Sequence, residues 1–169
     1  ADTEVVVNGT ATVTIAGYAS NPHPEGPVYG GLASLDLLAE EEWVELEDTF
    51  RDVRVVRFEH GTWVEIRLYY TDAEARGFNE TSLRLFWLDD TDWRRVSPDA
   101  ASGVNPTDIT IANHNYSGYM WAKITEDTTP TPSQLTGTPW GGYGHPTEKT
   151  EGICFIASAA YGTDTAKEI

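Results

Sequence analysis

Residues 63–97, WVEIRLYYTDAEARGFNETSLRLFWLDDTDWRRVS, decide the fold class, because strand, turn and strand signals follow one another there without interruption. Val64, Ile66, Leu68 and Tyr70 alternate with Glu65, Arg67 and Thr71. That period of two belongs to a half-buried strand. In TDAEARG, Thr71 or Asp72 can cap one helical turn, Glu74 suits its positive end, and Gly77 can supply a left-handed stop. Leu83, Leu85 and Trp87 then alternate with Arg84, Phe86 and Leu88, and the polar reversal of Asp89, Asp90, Thr91 and Asp92 leads into a short strand, WRRVS. The stretch reads as an antiparallel meander that is apolar on at least one side.

Working outward, EVVVNGTATVTIAGY (4–18) holds two β-prone pieces around Asn8-Gly9, the strongest short hairpin signal, with one long strand bulged at Gly9 as the competing reading. Residues 19–31 are loop by their Pro and Gly content, and residues 32–50 read as mostly strand, including Trp43–Leu46, with a short helix around Leu38–Glu42 as the competing reading. VRVVRFE (53–59) is expected to pair with 63–71 across His60-Gly61, and DITIA (108–112) and YMWAKIT (119–125) to supply the last two strands. Six to eight strands at such spacing predict an all-β, immunoglobulin-like antiparallel β-sandwich over residues 1–125. Residues 126–151, rich in Thr, Pro and Gly, read as an extended arm without a core of its own. Trp140 and Tyr143 in that arm are therefore assigned to contact with another surface. On this reading a chain cut after Glu126 stays folded. Residues 152–169 open with GICFIASAAYG, which is apolar, uncharged and β-prone. An isolated strand of that kind needs an edge to pair with, so Ile153, Cys154, Phe155 and Ile156 are assigned to addition onto the sheet of a neighbouring subunit.

Two resemblances bear on these segments. IRLYYTDAEARGFNETSLRLFWLDD, followed by a Trp, a turn, SGVN and the WA strand at 119–125, resembles a β-domain repeated in secreted and cell-surface proteins of archaea, methanogens especially. The likeness spans about residues 53–125 and implies a surface location and fold, without shared catalytic residues. GICFIASAAYGTDTAKEI resembles the Cys-Phe-Ile box at the C-terminal ends of many secreted archaeal and bacterial proteins, through Cys154-Phe155-Ile156 and Ala160-Tyr161-Gly162. It marks a family and leaves function open.

Composition narrows the partners. The 169 residues are 40% hydrophobic, with six Trp, which suffices for one cored domain. A net charge of −16 argues against nucleic acid and anionic membranes, which require clustered Lys and Arg. The charge is uneven: residues 1–50 carry ten acids and no Lys or Arg, and all eight Arg fall between Arg51 and Arg95. No apolar run reaches the roughly 20 residues that span a bilayer, and a start at Ala1 without Met reads as a processed, extracellular polypeptide. Asn8-Gly-Thr, Asn79-Glu-Thr and Asn115-Tyr-Ser are candidate glycosylation acceptors. Cys154 is the only cysteine, which excludes a disulfide within the chain.

Chemistry is sparse. GxSxG, P-loop, HExxH and CxxC patterns are absent, and the His at 23, 60, 114 and 145 share no ligand spacing. Asp89, Asp90 and Asp92 form the one candidate calcium turn, though without the Gly and terminal Glu of a dedicated loop. Trp63, Trp87, Trp93 and Trp121 are assigned to the core or to cross-strand pairs. The resulting expectation is a non-enzymatic structural subunit of an archaeal cell-envelope polymer, a sheath, filament or surface layer, whose partners are copies of itself and possible glycans. A monomeric adhesin or carbohydrate-binding surface module is the alternative.

Overall fold

The structure, a computed structural model, describes residues 1–24 and 42–147. Its strands in chain order are β1 (Asp2–Val7), β2 (Thr12–Gly17), β3 (Val44–Glu45), β4 (Arg51–Val56), β5 (Val64–Tyr70), β6 (Arg84–Leu88), β7 (Trp93–Arg95), β8 (Ser102–Asn105), β9 (Ile109–Ile111), β10 (His114–Tyr116), β11 (Gly118–Ile124) and β12 (Thr136–Gly144). The protein is all-β, and every strand pair is antiparallel. One sheet runs β1-β5-β11-β8; the other runs β2-β4-β12-β6-β7, with β3 against the far end of β12. β9 and β10 form a separate hairpin, closed by Ala112 and Asn113 at φ 50° and 69°.

The alternation in 63–71 is realised in β5. Val64, Ile66, Leu68 and Tyr70 are buried and face the other sheet, while Glu65 and Arg67 stay partly exposed. Thr71 then caps the helical turn Asp72–Ala75: its Oγ1 accepts from the Glu74 amide at 3.2 Å, and the Glu74 carboxylate accepts from the Thr71 amide at 2.9 Å. Gly77, at φ +89°, sits where an L side chain would be strained. The core between the sheets is closed by Val53 and Val55 of β4, Leu85 and Trp87 of β6 and Trp140 of β12, against Met120, Ala122 and Ile124 of β11 and the inner side of β5. A second cluster of Phe50, Phe86, Trp93 and Tyr143 lies on the outer side of the second sheet, with Tyr18 and Trp43 packed against it. Residues 21–23 tie down over this cluster, because Asn21 donates to the Tyr143 hydroxyl at 3.1 Å and Trp93 Nε1 donates to the His23 carbonyl at 2.9 Å.

Four expectations are corrected. Asn8-Gly9 is not a hairpin: neither residue has positive φ, as the favoured two-residue turn requires, and β1 and β2 belong to different sheets. Asn8 is instead pinned to the turn before β5, its Oδ1 accepting from the Trp63 amide at 2.8 Å. β4 likewise does not pair with β5 across His60-Gly61; the chain crosses there from one sheet to the other. Within 63–97 only β6 and β7 are neighbours, since residues 71–83 after β5 carry the chain over to the second sheet. The largest correction concerns residues 126–147. They form no arm, because β12 lies between β4 and β6 at the centre of the second sheet. Trp140 and Tyr143 are both buried, one on each face of that sheet. Residues 32–41 of the expected strand region lie outside the described residues, and β3 stands where a strand at Trp43–Leu46 was expected. Trp87 and Trp93 are buried as expected; Trp63 and Trp121 are only partly so, with Lys123 Nζ 4.2 Å from the Trp63 ring centre.

Candidate assembly edge

Among the described residues the two sheet paths end in four edge strands, with the two-residue β3 as a short fifth edge, and each presents backbone groups that only another strand can pair fully. Three of these edges are blunted. β1 carries Asp2 and Glu4, β7 is three residues long with two Arg, and β8 has four residues and runs into Pro106. β2, TVTIAG, has six residues with neither charge nor proline, inside a stretch with no Asp, Glu, Lys or Arg from Val5 to Pro24. Among the described residues its only strand partner is β4.

The register makes this edge apolar as well as open. Val13 lies opposite Val55 and Ile15 opposite Val53, so both point between the sheets, while Thr12, Thr14 and Ala16 point outward. Val53 and Val55 are buried, yet Ile15 beside them remains 39% exposed, and among the described residues no strand lies beyond it. Ile15 was not singled out from the sequence. The charge-free run around it was the available signal.

The residues assigned to assembly divide sharply. Ile153, Cys154, Phe155 and Ile156 lie outside the described residues. Trp140 and Tyr143 are core: burial pushes the Tyr143 hydroxyl well above its ordinary pKa, and Asn21 holds it in place.

The three acceptor asparagines are all exposed but differently engaged. Asn8 uses both ends of its amide on the turn at Gly61–Trp63. Asn79 Oδ1 accepts from Thr81 of its own sequon at 3.0 Å, and Asn115 Oδ1 accepts from Thr110 at 2.8 Å.

The aspartate turn is built for itself. Asp89 accepts from the amides of Thr91 and Asp92 at 3.1 and 3.0 Å and from Arg94 Nε. Burial pushes its carboxyl up, but Arg94 and the two amides outweigh that and hold it at about 2. The Asp89 carboxylate of the candidate calcium turn is thus engaged by Arg94 and two amides, and among the described residues no group of three or more His, Cys, Asp or Glu converges on a metal position. Because the carboxyl titrates lower when folded than when unfolded, these bonds stabilise the fold fully above about pH 4 and are lost as pH falls through 2. Asp89→Asn is expected to lower stability by about 1 kcal/mol at pH 7, as exposed pairs do, and to leave it unchanged below pH 2. Thermal melts at the two pH values check this.

Two polar grooves complete the surface. One of about 460 Å³ is lined by Trp87, Asp89, Asp90, Ser133 and Thr138, and another of about 540 Å³ by Asp72, Asp108, Thr110 and Asn115. Both linings mix carboxylates with hydroxyls, groups that can hydrogen-bond a polar ligand such as a sugar, while Trp87 itself is mostly buried. Among the described residues no helix is long and apolar enough to cross a membrane. Comparison of the chain with protein-family models, curated proteins and solved structures found no match.

Proposed function

We propose that the protein is a structural subunit of an extracellular cell-envelope polymer of archaeal type, a sheath, filament or surface layer, which assembles by pairing strands between copies. The observation that carries this reading is the β2 edge: six residues without charge or proline, unpaired on one side among the described residues, with Ile15 left half-covered between the sheets. Proteins that remain single guard such edges, as this one guards its other three. The resemblances of residues 53–125 and 152–169 to secreted archaeal segments support the location. A monomeric carbohydrate-binding module is the rival, favoured by the groove beside Trp87. Light scattering and electron microscopy of purified protein without denaturant separate the two. A megadalton or fibrous particle is the expected result, and a monomer retained on a glycan column overturns it.

A further inference from the structure

Resting on that polymer reading, we propose that β2 is the acceptor edge and that residues 153–158 of a second copy add to it as a sixth strand in line. Backbone pairing fits the edge, since β2 offers six residues and the donor is an uncharged segment of equal length. Side chains fit it too. Strand alternation places Ile153, Phe155 and Ala157 on one face of the donor and Cys154, Ile156 and Ser158 on the other. With the first face turned inward, Ile153 and Phe155 cover Ile15 and lengthen the core between the sheets. Cys154 then lies on the outer face, level with Thr12, Thr14 or Ala16. Charge favours this edge over the others, because neither β2 nor the donor carries any, whereas each subunit bears a net −16 that repels its neighbour elsewhere.

The donor comes from another copy for a geometric reason. After β12 the chain pairs on the β6 side, Phe78 bridging Pro146 and the Thr147 amide donating to the Gly77 carbonyl at 2.9 Å, while β3 and β4 lie on the β2 side. Gly17 lies level with Arg51 and Trp140, seven positions before Thr147. Reaching the far side of β2 beside Gly17 from Thr147 means about 23 Å along the strands and about 14 Å across three strand spacings, which consumes about eight extended residues. A chain's own tail would thus reach its own β2 only near residue 155, with Ile153 and Cys154 already spent on the crossing.

Cysteine pairing tests both the edge and the donor. Thr12→Cys, Thr14→Cys and Ala16→Cys are placed singly in the full-length protein, oxidised after purification and run with and without reductant. Strands paired side by side bring Cα atoms to about 5 Å, within disulfide reach. At least one variant is expected to give a ladder of subunit multiples that collapses on reduction. Wild type, with one Cys per chain, can form no such ladder. Particles that remain large without a ladder in any variant overturn β2 as acceptor while leaving the polymer reading intact. A cross-link that stays at monomer mass overturns donation from a second copy. Protein that scatters as a monomer throughout overturns the polymer reading itself. Ile15→Lys supplies an independent arm, because that position is exposed enough to accept Lys without unfolding. Its large particles are expected to disappear with the melting temperature within a few degrees of wild type, and their persistence overturns the proposal.

Discussion

A chain ended after Glu126 is expected not to fold. Such a cut removes β12, so β2-β4 loses its connection to β6-β7 and the second sheet falls into two fragments. It also removes Leu135 and Trp140 from the core between the sheets and Tyr143 from the outer cluster, all of them buried. Deleting a single buried Trp side chain costs about 3–5 kcal/mol, and a whole domain is stable by only about 5–15. Loss of three such side chains together with the central strand exceeds that margin. The truncated chain should show no near-ultraviolet dichroism and no cooperative melt. A cooperative transition like that of the intact protein would mean that β12 is dispensable to the fold.

This result is the reverse of what the sequence suggests, and the reason is instructive. TGTPWGGYG contains four glycines and a proline in nine residues, a composition that ordinarily marks a linker, and β-strand preference is weakest for those two residue types. Here the glycines are selected by neighbours far away in the chain, which no local pattern records. β5 was legible because over Val64–Leu68 burial alternates from one face to the other and imprints a period of two on the sequence, although Tyr69 is buried on the outer face against Tyr116 and Tyr119. The capping box at Thr71 and Glu74 was legible because cap and helix lie within four residues. Pairing was not. Alternation reports which side of a strand is buried but not which strand lies beside it, so Asn8-Gly9 and His60-Gly61 read as hairpins although both are crossings between sheets. The candidate edge was half visible: the apolar run at 153–158 stood out in the sequence, whereas β2 needed the topology, since a charge-free strand is ordinary until no partner is found beyond it among the described residues.

The glycines of β12 should also differ sharply when substituted, and the difference tests why they are there. Gly141 faces the outer cluster, where an added Cβ would sit 2.4 Å from Phe50 Cε1 and 2.6 Å from its Cδ1. Phe50 cannot swing aside readily, because its ring is held near Trp93 and Tyr143, with centroids 5.7 and 6.2 Å away. Gly142 faces the other way, and its added Cβ would meet Met120 Cε at 2.6 Å, the far end of a flexible side chain. Replacing Gly by Ala in a strand also stabilises by roughly 0.5–1 kcal/mol through the unfolded chain, so the sign depends on whether the neighbour can yield. Gly141→Ala is expected to cost about 2–3 kcal/mol, as overpacking against a fixed ring does, and Gly142→Ala about 1 or less. Urea midpoints with unchanged slopes give both values. If the contact with Phe50 is the cause, Phe50→Leu in the Gly141→Ala background should be less damaging than Phe50→Leu alone, a coupling that a double-mutant cycle reads directly. Equal losses at the two glycines, or purely additive effects with Phe50, would place the constraint in the backbone of β12 and not in the packing of its two faces.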